Sequence, residues 1–148
     1  GGGARHHLVE RRDPVQVRQE VQAMRQKMRD HLGSSASEQA SGTFHLKHDR
    51  GGIVDIEFMV QYGVLAFAAL HPALAVWSDN VRLLDSMAQA GLLSDVDAEA
   101  LKQAYLLERA ATHRLALAQQ PLRVPAQDWA QTRERVQGIW QQLLGALV

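Results

Sequence analysis

The chain has 148 residues, enough for one domain that removes about two thirds of its unfolded surface from water, and its sixteen basic and sixteen acidic residues cancel to a formal net charge of zero. That balance excludes a global field for nucleic acid or an anionic membrane, and the absence of cysteine excludes disulfides, thiolate nucleophiles and cysteine-ligated zinc. The longest apolar run, Tyr62 to Leu70, covers nine residues against the roughly 20 that a bilayer span needs, and GGGARHH carries no secretory h-region, so the cytoplasm is the expected compartment.

Residues 1 to 12 are read as disordered or as an engineered scar or cut end, and carry no fold information. Asp13-Pro14 is a cap followed by a first-turn proline, and Val17, Val21, Met24 and Met28 recur at helical spacing, which predicts a helix over 14–31 ended by Gly33. GSSASEQASG, residues 33 to 42, is small and polar throughout and reads as a mobile loop. Thr43 to His48 alternates Phe44 and Leu46 against His45 and Lys47, the pattern of a short strand before the turn Asp49-Arg50-Gly51-Gly52. No convincing second strand follows, so its ladder partners are expected outside this chain, or the segment is an extended stub packed on helices.

From Ile53, the residues Ile56, Val60, Val64 and Phe67 form one helical face while Phe58, Tyr62 and Leu65 make the other side apolar too. A central helix from 53 to about 70 follows, ended by His71-Pro72. Ser78 or Asp79 caps a third helix through Val81, Leu84 and Met87, with Gly91 as its C′ residue. Ser94 and Asp97 open a fourth, long helix closed by Pro121, and Pro125 starts a last one with Trp129, Val136, Ile139, Trp140, Leu143 and Leu144 on its buried side. The fold class is mainly α: about five helices in a bundle, with one short extended segment inserted.

The chemistry concentrates in HDRGGIVDIEF, residues 48 to 58. In a strand, Asp55 and Glu57 project from the same face and suit a Mg²⁺ ion beside phosphates; in a helix only one of them points into a given site. The length of the apolar span favours the helix. Gly51 and Gly52 then bring the backbone close to a helix N-terminus, where free N–H groups favour an anion, but the two acids compete with phosphate there unless a cation bridges them. The plain alternative is a glycine turn with acidic first-turn residues. His45 and His48, on opposite faces of a strand, do not suit a shared metal; Asp95 and Asp97 read as helix N-terminal charges; Trp77, Trp129 and Trp140 read as core or core-edge residues. The short arginine pairs are too sparse for nucleic-acid binding.

LKHDRGGIVDIEFMVQY, followed about twenty residues on by WSDNVRLLDSMAQAGLL, closely resembles the C-terminal, adenylylating half of the bacterial glutamine synthetase adenylyltransferase family, over nearly the whole chain from residue 13. The resemblance implies the tail of a nucleotidyltransferase domain over 13–58 and a C-terminal helical domain over 53–148, with the helix that opens at 53 at their junction. It implies ATP and Mg²⁺ as cofactors of the full-length enzyme, held by a G-S strand-turn and a D-x-D pair upstream of the motif, which this chain lacks. The fragment alone is therefore expected to be inactive and to bind neither tightly. It places the family's third carboxylate, a catalytic and Mg²⁺-ligating residue, at Asp55 or Glu57, sets Lys47, Gly51 and Gly52 near the nucleotide phosphates, and gives Trp77, Asp79, Asn80 and Arg82 an interdomain structural role. The implied reaction is AMP transfer to a tyrosine of glutamine synthetase. The implied partners are glutamine synthetase, a PII-type signalling protein and the rest of the same polypeptide. The competing expectation is a non-catalytic helical domain that docks glutamine synthetase or the PII-type protein.

Overall fold

The structure is a computed structural model that describes residues 11 to 145. Most of the expectation for residues 1 to 12 thus lies outside the described residues. Helix α1, Pro14–Leu32, begins as its sequence dictates: the Asp13 carboxylate accepts the Val15 N–H at 3.0 Å and Pro14 occupies the first turn. Its buried stripe is not the expected one. Val17 and Val21 are buried, but the stripe continues through Arg25 rather than Met24, which is 59 % exposed.

Residues 33 to 42 are more ordered than their composition suggests. Helix α2, Ala36–Ala40, is closed by a capping box in which Ser35 Oγ accepts the Glu38 N–H at 3.2 Å and the Glu38 carboxylate accepts the Ser35 N–H at 2.9 Å. Strand β1, Thr43–His45, does have a partner within the chain: β2, Arg123–Pro125, pairs with it antiparallel, Phe44 opposite Val124. The expectation that no second strand lies within the chain is thereby corrected. The three residues Arg-Val-Pro were too short to register as a strand, and the proline sits where an edge strand tolerates it.

Helix α3, Ile53–Phe67, is the central element, packed against α1, α4, α5 and α6. It is buried on most of its circumference, as its all-round apolar sequence requires. A 3₁₀ turn at Pro72–Ala75 leads to α4, Asn80–Gln89, capped by Asp79, whose carboxylate accepts the Val81 N–H at 2.8 Å. Helix α5, Asp95–Leu117, is capped by Ser94, whose hydroxyl accepts the Asp97 N–H at 3.0 Å. A second 3₁₀ turn, Ala126–Trp129, precedes α6, Ala130–Leu144. Among the described residues, six helices and a two-stranded sheet make the fold mainly α, the sixth helix being α2.

One core joins Val17 and Val21 of α1 to Ile56, Met59 and Val60 of α3, Leu84 and Met87 of α4, Leu101 of α5, and Val136, Ile139 and Trp140 of α6. A second, smaller cluster places Phe44 and Leu46 against Ala111 of α5. Trp140 is fully buried and Trp129 half-buried, 6.2 Å from the Phe44 ring, whereas Trp77 is 43 % exposed and stands outside the buried core. Among the described residues no helix is long and apolar enough to cross a membrane.

Candidate functional site

The double-glycine turn is folded onto its own chain. Gly51 adopts φ +85°, a conformation that favours glycine, and a Cβ there would lie 2.7 Å from the Arg133 Cα. A Cβ on Gly52 would meet the Leu46 carbonyl oxygen at 2.6 Å. Both glycines are required because backbone meets backbone inside the protein. The N–H groups that open α3 are taken in the same way: Gly52 donates to the Asp49 carbonyl (2.9 Å), Ile53 to Leu46 (2.9 Å) and Val54 to Lys47 (3.1 Å). This helix N-terminus therefore offers no open cradle for phosphate, because β1 and its turn already occupy it.

Asp55 and Glu57 part company, as a helix demands. Asp55 is fully buried; its Oδ1 accepts from Arg25 Nε at 2.5 Å and its Oδ2 from the Gly51 N–H at 2.7 Å. Arg25, equally buried, also donates to the His48 carbonyl at 2.8 Å, so α1, the turn and α3 are joined by one guanidinium. Glu57 faces solvent and makes no hydrogen bond or ion pair within the described residues. Lys47 is half-buried, and its carbonyl and N–H serve the turn: the N–H donates to His45 Nδ1 at 3.3 Å. The rings of His45 and His48 lie 5.1 Å apart rather than on opposite faces, because the chain turns directly after β1. His45 Nδ1 also accepts the His48 N–H at 3.2 Å, and burial holds both imidazoles below their usual pKa.

Four further residues complete the site, and the spacing of two of them was a signal. Arg25 stands four residues after Val21 on the buried stripe of α1, and Glu108 interrupts the apolar series Leu101, Ala104, Ala111 on α5. Glu108 is fully buried with neither carboxyl oxygen hydrogen-bonded, and burial, reinforced by the nearby negative charge of Asp55, pushes its pKa up to about 9. At neutral pH it is a neutral acid. Asp49 behaves oppositely: burial acts upward on it, but the Ser34 hydroxyl (2.5 Å), the His45 N–H (2.8 Å) and the Ser34 N–H (2.7 Å) all donate to it and hold it below the usual carboxylate range. Arg133 of α6 donates from Nε to the Arg50 carbonyl at 2.9 Å and lies 4.3 Å over the Phe44 ring.

The second motif is a structural joint. Asp79 caps α4, Asn80 Nδ2 donates to the Tyr105 hydroxyl of α5 at 3.0 Å, and the Arg82 guanidinium lies 4.5 Å over the Trp77 ring. Among the described residues no three His, Asp or Glu side chains converge as metal ligands would.

Comparison with known proteins gives this geometry a lineage. The family model for the GlnD PII-uridylyltransferase matches residues 16–123. The bifunctional glutamine synthetase adenylyltransferase/adenylyl-removing enzyme of Acinetobacter baylyi is 58 % identical over 137 residues, which is 93 % of this chain and 15 % of that protein. Its namesakes are 45 % identical in Hahella chejuensis, over 92 % of this chain and 14 % of theirs, and 45 % identical in Pseudomonas aeruginosa, over 92 % and 15 %. The chain thus spans about 15 % of the length of the curated relatives it matches. The chain belongs to the GlnD PII-uridylyltransferase family.

Proposed function

We propose that this chain is the helical part of the C-terminal, adenylylating half of an ATP-dependent protein adenylyltransferase that transfers AMP to a tyrosine of glutamine synthetase. The 58 % identity to an enzyme of that name supports the activity. The observation that carries the assignment of roles is the divergence of the two acids: Asp55 is wholly engaged by Arg25 and Gly51, while Glu57 is exposed and unengaged. Asp55 is then a positioning residue that fixes the turn against α1, and Glu57 is the acid presented towards the rest of the polypeptide. A Mg²⁺ site needs several oxygen ligands, and the described residues bring no three candidate ligands together. This chain does not by itself fit the ion; Glu57 supplies at most one ligand, and catalysis by the isolated fragment is not expected.

In the full-length enzyme, Glu57→Gln should abolish AMP transfer without moving the thermal midpoint, whereas Asp55→Asn should lower both. A Glu57→Gln rate within about threefold of the parent, under roughly 0.7 kcal/mol in barrier, removes Glu57 from the reaction.

A second reading, a docking surface for glutamine synthetase or a PII-type protein, is favoured by one observation: Leu70, Val76 and Trp77 are 55 %, 52 % and 43 % exposed around the start of α4. Trp77→Ala should then abolish capture of the partner by this chain while its melting curve is retained; undiminished capture eliminates this surface.

A further inference from the structure

Apolar side chains scattered singly over a surface are ordinary, but Val96, Leu106, Leu107 and Leu117, each more than half exposed, all belong to α5. At about 100° per residue the four fall within a stripe about 100° wide, on the side of the helix away from the buried Leu101, Ala104, Tyr105 and Glu108. The stripe runs roughly 30 Å along the helix, from Val96 to Leu117. Its residue order is symmetric about its middle. Counting outwards from the adjacent Leu106 and Leu107, Gln103 mirrors Ala110, Glu99 mirrors Arg114, and Val96 mirrors Leu117. A second copy of α5 laid antiparallel on the first sets every residue against its mirror image. Apolar groups then meet at both ends and in the middle, an acid meets a base between them, and the two helix dipoles oppose. A parallel arrangement would instead put Glu99 against Glu99 and Arg114 against Arg114.

We propose that this face of α5 is a self-association surface, through which two copies of the chain pair about a two-fold axis at Leu106 and Leu107, with Glu99 of each copy opposite Arg114 of the other. The charged groups are placed for it. Arg114 makes no hydrogen bond or ion pair within the described residues. Glu99 pairs with Lys102 at 3.1 Å but keeps a side chain that is 57 % exposed, and Gln103 turns its amide back to Glu99 at 3.4 Å, leaving its stem towards the small Ala110. Because the contact is isologous, the same four apolar side chains leave water twice, once on each copy. One helix pair of this length lies at the small end of specific interfaces, so a Kd in the range of about 10–100 µM is expected. Both functional readings above rest on α3 and the start of α4, and this surface is independent of them.

The test is sedimentation equilibrium of the 148-residue chain between about 5 and 500 µM, where a monomer–dimer equilibrium is expected. Leu107→Lys sets two ammonium groups beside the axis and should weaken association about tenfold or more, with the melting curve of the dilute chain unchanged because Leu107 is exposed. A charge swap decides the register. Glu99→Arg or Arg114→Glu alone places like charges opposite each other twice in the dimer and should weaken it about tenfold, whereas the two together restore opposite charges and should return the Kd to within about threefold of the parent. Within one copy the two residues stand roughly 22 Å apart along the helix, so the rescue can only cross between copies. A chain that stays monomeric at about 500 µM, a dimer indifferent to Leu107→Lys, or a double variant no tighter than the single ones overturns the proposal.

Discussion

The double-glycine turn and the start of α4 use the same materials, an aspartate, an arginine and an apolar helix to follow, at very different burial. At the turn, Arg25 and Asp55 are both out of contact with water and bind each other as well as the backbone. At α4, Asp79 caps in the open and Arg82 lies across a tryptophan that is 43 % exposed. The comparison teaches that burial, more than residue type, sets what each acid does. A carboxylate in water contributes tenths of a kcal/mol to its helix, whereas one enclosed with its only cation becomes a joint whose failure leaves the partner charge stranded.

The largest expected effect breaks that joint. Asp55→Asn keeps the shape but leaves Arg25 charged, buried and already short of a partner at Nη1, so a loss of about 3–5 kcal/mol is expected in denaturant unfolding. The double variant Arg25→Met/Asp55→Leu should recover most of that loss, since two apolar groups strand no charge. Equal loss in the single and double variants would show that the hydrogen bonds to Gly51 and His48, not the charges, hold the turn.

Glu108 sharpens the same contrast through pH. Its folded pKa of about 9 lies above its unfolded value near 4.5, so between them the folded state binds more protons than the unfolded one. Stability from this group is complete below about pH 4.5 and falls as pH rises towards 9, by up to about 1.4 kcal/mol per pH unit. Glu108→Gln removes the titration. The difference in unfolding free energy, variant minus parent, should therefore grow from pH 5 to pH 8, where a flat difference would mean that Glu108 is charged in the fold.

At the exposed end of the comparison, Asp79→Ala loses a single cap. The Val81 and Arg82 N–H groups return to water, and a loss of about 1 kcal/mol is expected in denaturant unfolding. A loss as large as that of Asp55→Asn would erase the distinction between the two regions.

Much of this architecture was legible from spacing. The five long helices, the Asp13, Asp79 and Ser94 caps and the central burial of α3 follow from periodicity and cap chemistry, which act within a few residues of sequence. Three features were not. Helix α2 hides in a stretch with nothing to bury and is held by the Ser35–Glu38 capping box and by the ion pair of Glu38 with Arg123 of β2, 2.6 Å. The pairing of β1 with β2 joins residues some eighty positions apart, beyond any local pattern. Arg29, Arg50 and Arg133 line one cleft from three elements, so only the packed fold brings them together. Arg25 and Glu108 lie between these extremes: each is a charge on an otherwise apolar stripe, which marks a buried polar contact without naming its partner.

The smallest effect concerns the Arg82–Trp77 contact, at 4.5 Å from guanidinium to ring centre. Trp77 is open to solvent on one side, so the attraction competes with hydration of both groups, and a coupling of about 0.5–1 kcal/mol is expected from a double-mutant cycle of Arg82→Ala and Trp77→Leu. The cycle is needed because Arg82 also contributes its N–H to the Asp79 cap, and that bond survives the substitution. A coupling of zero would make Trp77 an exposed apolar residue unsupported by its neighbour. A coupling above about 2 kcal/mol would mean the pair is as desolvated as Arg25 and Asp55, and the two regions would then differ in composition only.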